Sequence, residues 1–185
     1  GKYTGNATDE IFLAAMDTRD AIGADMTLFN RGVPYRVGGD TGGTSLRVGV
    51  TKTSVHVLTI EPGVTMRFAK GTRLLLDADA NEPTGALVAE GTAAAPIVFT
   101  SAEATPAAGD WPGIHFAGRP DARNKISNAT ISYAGGTSGI SSFGCPSPPA
   151  KDFSNTGAVI IYGDKPAGAF VTNTRIENSA GDGIV

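Results

Sequence analysis

The sequence predicts an all-β chain wound as a parallel β-helix, a solenoid with corner loop insertions. Three observations predict it. From residue 33 onward, apolar runs of four to six residues follow one another, each closed by Gly, Pro, Asn or Asp. The turns in LTIEPGVTMRFAKGTRLLLDA (58–78) carry Pro62-Gly63 and Lys70-Gly71 but no Asn-Gly or Asp-Gly, the dipeptides that close tight hairpins. Two kinds of run also recur in alternation. One is aromatic-ended: Met66-Arg67-Phe68, Ile114-His115-Phe116, Ile160-Ile161-Tyr162, then Gly183-Ile184-Val185. The other is flanked by Thr or Ser and centred on Ile60, Phe99, Ile131 and Ile176, with Asn128-Ala-Thr-Ile131 matching Asn173-Thr-Arg-Ile176. Short strands with polar turns fit a sandwich, a barrel or a β-helix, and internal repetition selects the last. Each strand then pairs with its equivalent one coil away, parallel and in register.

Taken in order, residues 1–32 form an N-terminal edge or capping segment. Within it TDEIFLAAMD fits a capped helix, with Thr8 as N-cap and Ile11, Ala14 and Ala15 as its apolar face. The runs IFLAA and DMTLF fit strands equally well, and the strand-like character of everything downstream favours strands. Residues 33–185 form the solenoid. Its spacing is broken by corner insertions at 77–85 (DADANEPTG) and 137–157. Deleting the second brings the 45-residue step from Ile131 to Ile176 near 24, the size of one coil. Strand alternation places Met66, Phe68, Ile114, Phe116, Ile160 and Tyr162 inward, with Arg67, His115 and Ile161 outward. Leu58, Ile60, Ile97, Phe99, Ile131 and Ile176 fill the rest of the core.

Composition sets the outer bounds. The chain has 185 residues, long enough for one domain with a sizeable core, and its 41% apolar and 18% charged residues fit a globular protein. The 25 glycines and 11 prolines suit many tight turns. A net charge of −3 gives no basic stripe for nucleic acid. No apolar run approaches the length of a membrane span. The start, GKYTGNATDE, lacks the basic flank and apolar segment of a signal peptide, so a secretory signal would have been removed or would lie outside this stretch.

LTIEPGVTMRF, GALVAEGTAAAPIVFTS, GDWPGIHFAG and NATISYAGG resemble the repeat units of bacterial secreted right-handed parallel β-helix proteins of the pectin-lyase-like superfamily. The likeness is strong over 57–136, fair to 185 and weak before 33. It implies right-handed winding and a secreted or cell-surface location. It also raises polysaccharide lyase or hydrolase activity, which in this superfamily rests on acidic calcium ligands with an Arg base, or on clustered Asp residues of neighbouring coils. Acid–base hydrolysis needs two carboxylates about 5–9.5 Å apart. The outward ladders inferred here, Arg67, His115 and Ile161 in one and Glu61, Thr100, Ser132 and Glu177 in the other, put no two carboxylates on adjacent coils. Asp182 stands alone. The expectation is therefore a non-catalytic structural or binding module with no catalytic residues, its partner a polysaccharide or another cell-surface protein.

Candidate site residues follow from that expectation. Arg67 and His115 would line a basic, sugar-contacting groove, and Trp111 in GDWPGI would supply a stacking platform, against the plainer reading of a Trp packed over a corner. DADANE gathers Asp77, Asp79, Asn81 and Glu82, hard oxygen ligands of the kind calcium takes, although Glu82 stands where an EF-hand needs Gly. No cofactor is expected beyond that calcium possibility. Ice binding needs a flat Thr array, which Glu61, Arg175 and Glu177 interrupt. Cys145, the single cysteine, lies in the Pro-rich insertion, where a disulfide to a partner outside this stretch is expected. The final strand, Gly183-Ile184-Val185, would leave an open edge and an open core, so further chain or another subunit is expected to cover it.

Overall fold

A computed structural model describes residues 3–15, 21–39, 44–50, 54–140, 145–146, 153–154 and 156–185. The chain is a right-handed parallel β-helix whose full coils each contribute one short strand to each of three parallel sheets. Among the described residues, the first sheet holds Ile11–Leu13, Tyr35–Val37, Thr65–Phe68, Ile97–Ser101, Ala129–Ser132 and Arg175–Glu177. The second holds Ser45–Val48, Arg73–Leu76, Ile114–Ala117, Gly157–Tyr162 and Asp182–Ile184. The third holds Met26–Leu28, His56–Ile60, Gly85–Glu90, Lys125–Ser127 and Val171–Thr172. The pairing is parallel throughout these sheets, so the absence of hairpin turns in residues 58–78 has its explanation. The first coil begins before residue 33: Ile11–Leu13 joins the first sheet, Ile22 bridges Val48 of the second, and Met26–Leu28 joins the third.

Three sheets replace the two alternating families read from the sequence. Met66 and Phe68 belong to the first sheet, whereas Ile114 and Phe116 belong to the second. Phe68 therefore stands in register with Val37 and Ser101, and Phe116 with Leu76 and Ile161, so the two rings are not equivalent. Leu58 and Ile60 likewise lie in the third sheet, apart from Phe99, Ile131 and Ile176 in the first. The core is a set of apolar ladders. Ile11, Tyr35, Met66, Phe99, Ile131 and Ile176 run up the first sheet, and Leu46, Leu74, Ile114 and Val159 up the second, with Ile184 exposed in register beyond Val159. Leu28, Ile60, Ala89, Ile126 and Val171 run up the third.

One strand is shifted by a residue from its expected register. Val159 pairs with Ile114 and Ile161 with Phe116, so these two face the core; Ile160 and Tyr162 take the outward positions. The cause is local. Ala158-Val-Ile-Ile-Tyr162 is apolar at every position, so alternation has nothing to choose by, and a slip of one residue exchanges the faces.

The corners repeat as faithfully as the strands. Asn128 and Asn173 both adopt left-handed backbone, φ 47° and 44°, at the corner leading from the third sheet to the first. The Asn128 amide donates to the Gly91 carbonyl (3.1 Å), and the Asn173 amide donates to the Asn128 side-chain oxygen. The Asn-x-x-Ile match in the sequence is thus a ladder of amides across coils. Asn tolerates this backbone better than most residues. At Gly135 (φ 80°) a Cβ would lie 1.7 Å from the Ala180 carbonyl, so consecutive coils touch there only because the side chain is absent.

Trp111 is fully buried at the corner between the first and second sheets. Its ring stacks on Phe68 with centroids 4.2 Å apart and planes 5° from parallel, and its Nε1 donates to the Ser132 carbonyl at 2.9 Å. With no face open to solvent it cannot serve as the sugar platform expected above.

The outer face of the second sheet is a second apolar layer. Its outward ladder is Arg47, Leu75, His115 and Ile160, of which Leu75, His115 and Ile160 are buried. Arg73 ties the chain that follows Ala129–Ser132 to this sheet, donating from Nη1 to the Ser138 carbonyl (2.7 Å) and from Nε to Ser45 Oγ (2.9 Å). His115 is 0% exposed, which corrects its expected place in a solvent-facing groove. Burial pushes its pKa down from 6.5 to about 4, the Arg73 charge acts in the same direction, and a 3.4 Å contact between Nε2 and the Pro112 carbonyl opposes both. Nδ1 has no partner among the described residues, and the Tyr162 ring meets the imidazole edge-on at 6.4 Å.

Two expectations follow. Phe116→Ala should lower stability by about 3–5 kcal/mol in denaturant titrations, because the ring fills the core between Leu76 and Ile161 and packs edge-on against Phe170. His115 should make stability depend on pH. The folded pKa lies below the unfolded one, so stability is fully present above pH 6.5 and falls as the pH drops toward about 4, by at most about 3 kcal/mol. His115→Leu should flatten that slope while holding stability at pH 7.5; an unchanged slope would assign the acid sensitivity to other groups.

Candidate functional site

The sequence-predicted binding residues do not meet. Arg67 faces outward from the first sheet beside Arg36, with its Nη2 donating to the Ala102 carbonyl at 3.1 Å. It lines a hollow of about 330 Å³ with Asn30 and Thr65. His115 lies under cover on the second sheet and Trp111 inside the core.

The DADANE residues form a small hairpin at the corner between the second and third sheets. Ala78–Asp79 pairs antiparallel with Glu82–Pro83, and Ala80 (φ 47°) and Asn81 (φ 80°) make a two-residue turn with both central residues left-handed. Asp77 forms an ion pair with Arg47, Nε to Oδ2 2.7 Å, and accepts from the Ala78 amide at 2.9 Å; Asn81 donates to Asp164 Oδ2 at 2.7 Å; Glu82 pairs with Arg119 at 2.5 Å. Asp79 stands opposite Glu82 across the hairpin. Among the described residues no group of three or more His, Cys, Asp or Glu side chains is placed to hold a metal ion. Cys145 opens the strand Cys145–Pro146, paired antiparallel with Phe153–Ser154, and its side chain lies outside the described residues.

The same corner carries a concavity. Two adjoining hollows of about 460 and 580 Å³ share Pro120, Asp121, Ala122 and Ala167 as walls. Four successive coils build them: residues 54–55, 82–90, 119–127 and 166–172. The groove therefore runs along the solenoid axis, crossing coils at the strand spacing of about 4.8 Å.

Local chemistry holds its floor in place. Pro120 limits the backbone as the chain leaves the second sheet. Asp121 then closes an Asx turn, accepting from the Arg123 amide at 2.9 Å, and takes a bidentate pair from the Arg123 guanidinium at 2.7 and 3.1 Å. That pair holds the Asp121 carboxyl below the usual carboxylate range, against the opposing effect of burial. Asn124 is 2% exposed; its Oδ1 accepts from the Leu87 amide of the neighbouring coil at 2.7 Å, while its Nδ2 has no partner among the described residues. Lys125 pairs with Glu90 at 3.4 Å across coils. Ser127 stands in register with Glu90 on one side and Thr172 on the other, so polar groups repeat coil by coil along the outward face.

Sequence reasoning overlooked this site because corner residues obey no strand alternation. One signal was present. Asn124 occupies the inward parity of its strand, two residues before the core residue Ile126, and a polar residue at a core position is informative.

The comparisons with known proteins are consistent with this architecture. A family model described as a pectate-lyase like beta helix domain matches residues 44–144, more than half of the chain. No curated protein and no solved structure matches it. The matched stretch spans the coils that build most of all three sheets and three of the four coils that line the groove, and on that match the chain belongs to the pectate-lyase-like beta helix domain family.

Proposed function

We propose that the chain is an extracellular, non-catalytic β-helix that binds a polysaccharide along the groove of residues 54–55, 82–90, 119–127 and 166–172. The observation that carries this reading is the groove's construction. Three coils present polar groups in register, Glu90, Ser127 and Thr172, and residues 54–55 of a fourth coil extend the groove, which suits an extended polymer better than a compact ligand. The paired ions leave the groove without a poised proton donor: Asp121 is engaged by Arg123 through both oxygens and is held ionised, whereas a general acid needs a raised pKa.

A second reading is a polysaccharide hydrolase or lyase, favoured by one observation: Glu90 and Asp121 line the same hollow. The two readings separate in one experiment. Affinity electrophoresis of the full chain through gels containing different polysaccharides should show retardation by at least one of them. Ala167→Trp, which fills the wall common to both hollows, should remove at least tenfold of that affinity. Retardation unaffected by Ala167→Trp would place binding elsewhere. New reducing or unsaturated ends, lost in Glu90→Gln or Asp121→Asn, would establish the enzyme instead.

A further inference from the structure

We infer that the groove selects uncharged polysaccharides over acidic ones, with the Asn124 side-chain amide as a donor to the bound polymer; this rests on the polysaccharide-binding reading above. The argument begins with charge. Each charged residue lining the two hollows is already partnered: Glu90 with Lys125, Glu82 with Arg119, and Asp121 with Arg123. A polyanion entering here finds no uncompensated cation and passes three carboxylates. Capturing it would mean breaking these pairs and leaving those carboxylates beside its own charges.

The remaining chemistry suits hydroxyl-rich, uncharged rings. Ser127 and Thr172 offer hydroxyls in register on adjacent strands, each able to donate and accept. The carboxylates of Glu82 and Glu90 retain acceptor sites beyond their ion pairs, open to sugar hydroxyls. Phe170, half-buried and edge-on to Phe116 at 4.9 Å, contributes an apolar surface to the wall. Asn124 supplies the specific element. Asn124 is one of the residues lining the groove; its oxygen is committed to the Leu87 amide, which fixes the orientation of the side chain, and its buried Nδ2 has no partner among the described residues. A buried donor without a partner is costly, and an ether or hydroxyl oxygen of a bound sugar would relieve it.

The test uses the full chain in affinity electrophoresis against neutral polymers (a β-glucan, a galactan, a xylan) and acidic ones (polygalacturonate, alginate), at low and high salt, with chelator present. At least one neutral polymer should retard the protein at both salt concentrations, with acidic polymers at least tenfold weaker. Asn124→Asp keeps the acceptor toward Leu87 but replaces the donor, and should cost at least tenfold on the neutral polymer. Because a buried Asp could unfold the chain, the double substitution Glu82→Gln/Glu90→Gln provides a gain-of-binding arm. It frees Arg119 and Lys125 and should bring in salt-sensitive binding of an acidic polymer. Preference for an acidic polymer in the unsubstituted chain, abolished by Ala167→Trp, would overturn this inference while leaving the groove as the binding site. Retention by no polymer would overturn the binding reading and this inference with it. Asn124→Asp that folds and binds normally would remove the donor role.

Discussion

The in-register parallel ladder is the constraint on which everything else in this molecule depends. Along the inner strands, backbone amides and carbonyls are satisfied by the coils before and after, so the neighbours of a side chain are set by register. Phe99 rests on Met66 and carries Ile131 because those residues occupy the same step of consecutive coils. An apolar residue in one coil therefore demands an apolar residue in the next, and the core becomes a set of columns rich in Leu, Ile, Val, Met and Phe. The corners obey the same rule. The amides of Asn173 and Asn128 hand hydrogen bonds from coil to coil up to Gly91, and Trp111 plugs a corner from inside against Phe68.

The ladder also explains how the second sheet acquires two buried faces. Leu74, Ile114 and Val159 face the core, while Leu75, His115 and Ile160 on the opposite side are hidden as well. Arg73 is the point of attachment on this side, bonded both to Ser45 of the preceding coil and to the Ser138 carbonyl of the covering chain. A histidine in such a layer is neutral because the surroundings disfavour its charge, and the nearby guanidinium reinforces that. Its strongly perturbed pKa is a property of packing.

The sequence made the parallel pairing, the coil repeats of the first sheet and the Asn-based corner legible, because all three are written in local patterns of two or three residues. The assignment of strands to three sheets was less legible. Leu58-Thr-Ile60 and Ile97-Val-Phe99 have the same alternation, and alternation names a face but not a sheet. Val159 to Tyr162 gave no alternation at all, so its face was decided by pairing with Ile114 and Phe116. His115 and Trp111 were misplaced for a related reason: whether an outward or corner residue meets solvent depends on chain folded over it from far away in sequence. The groove stayed hidden because it joins residue 54 to residue 172 through corners, where no period applies.

Placing that groove on corners, with the ladders elsewhere, has a consequence for how such a molecule can diversify. The strands are nearly immutable, since altering one perturbs the columns on both sides of it. The corners tolerate change: the hairpin of Ala78–Asp79 and Glu82–Pro83 leaves the register of the strands on either side of it, Arg73–Leu76 and Gly85–Glu90, continuous. A corner can lengthen, shorten or exchange its polar residues while Met66, Phe99 and Ile131 keep the same neighbours. The shape and chemistry of the groove can thus vary independently of the columns of core residues beneath it.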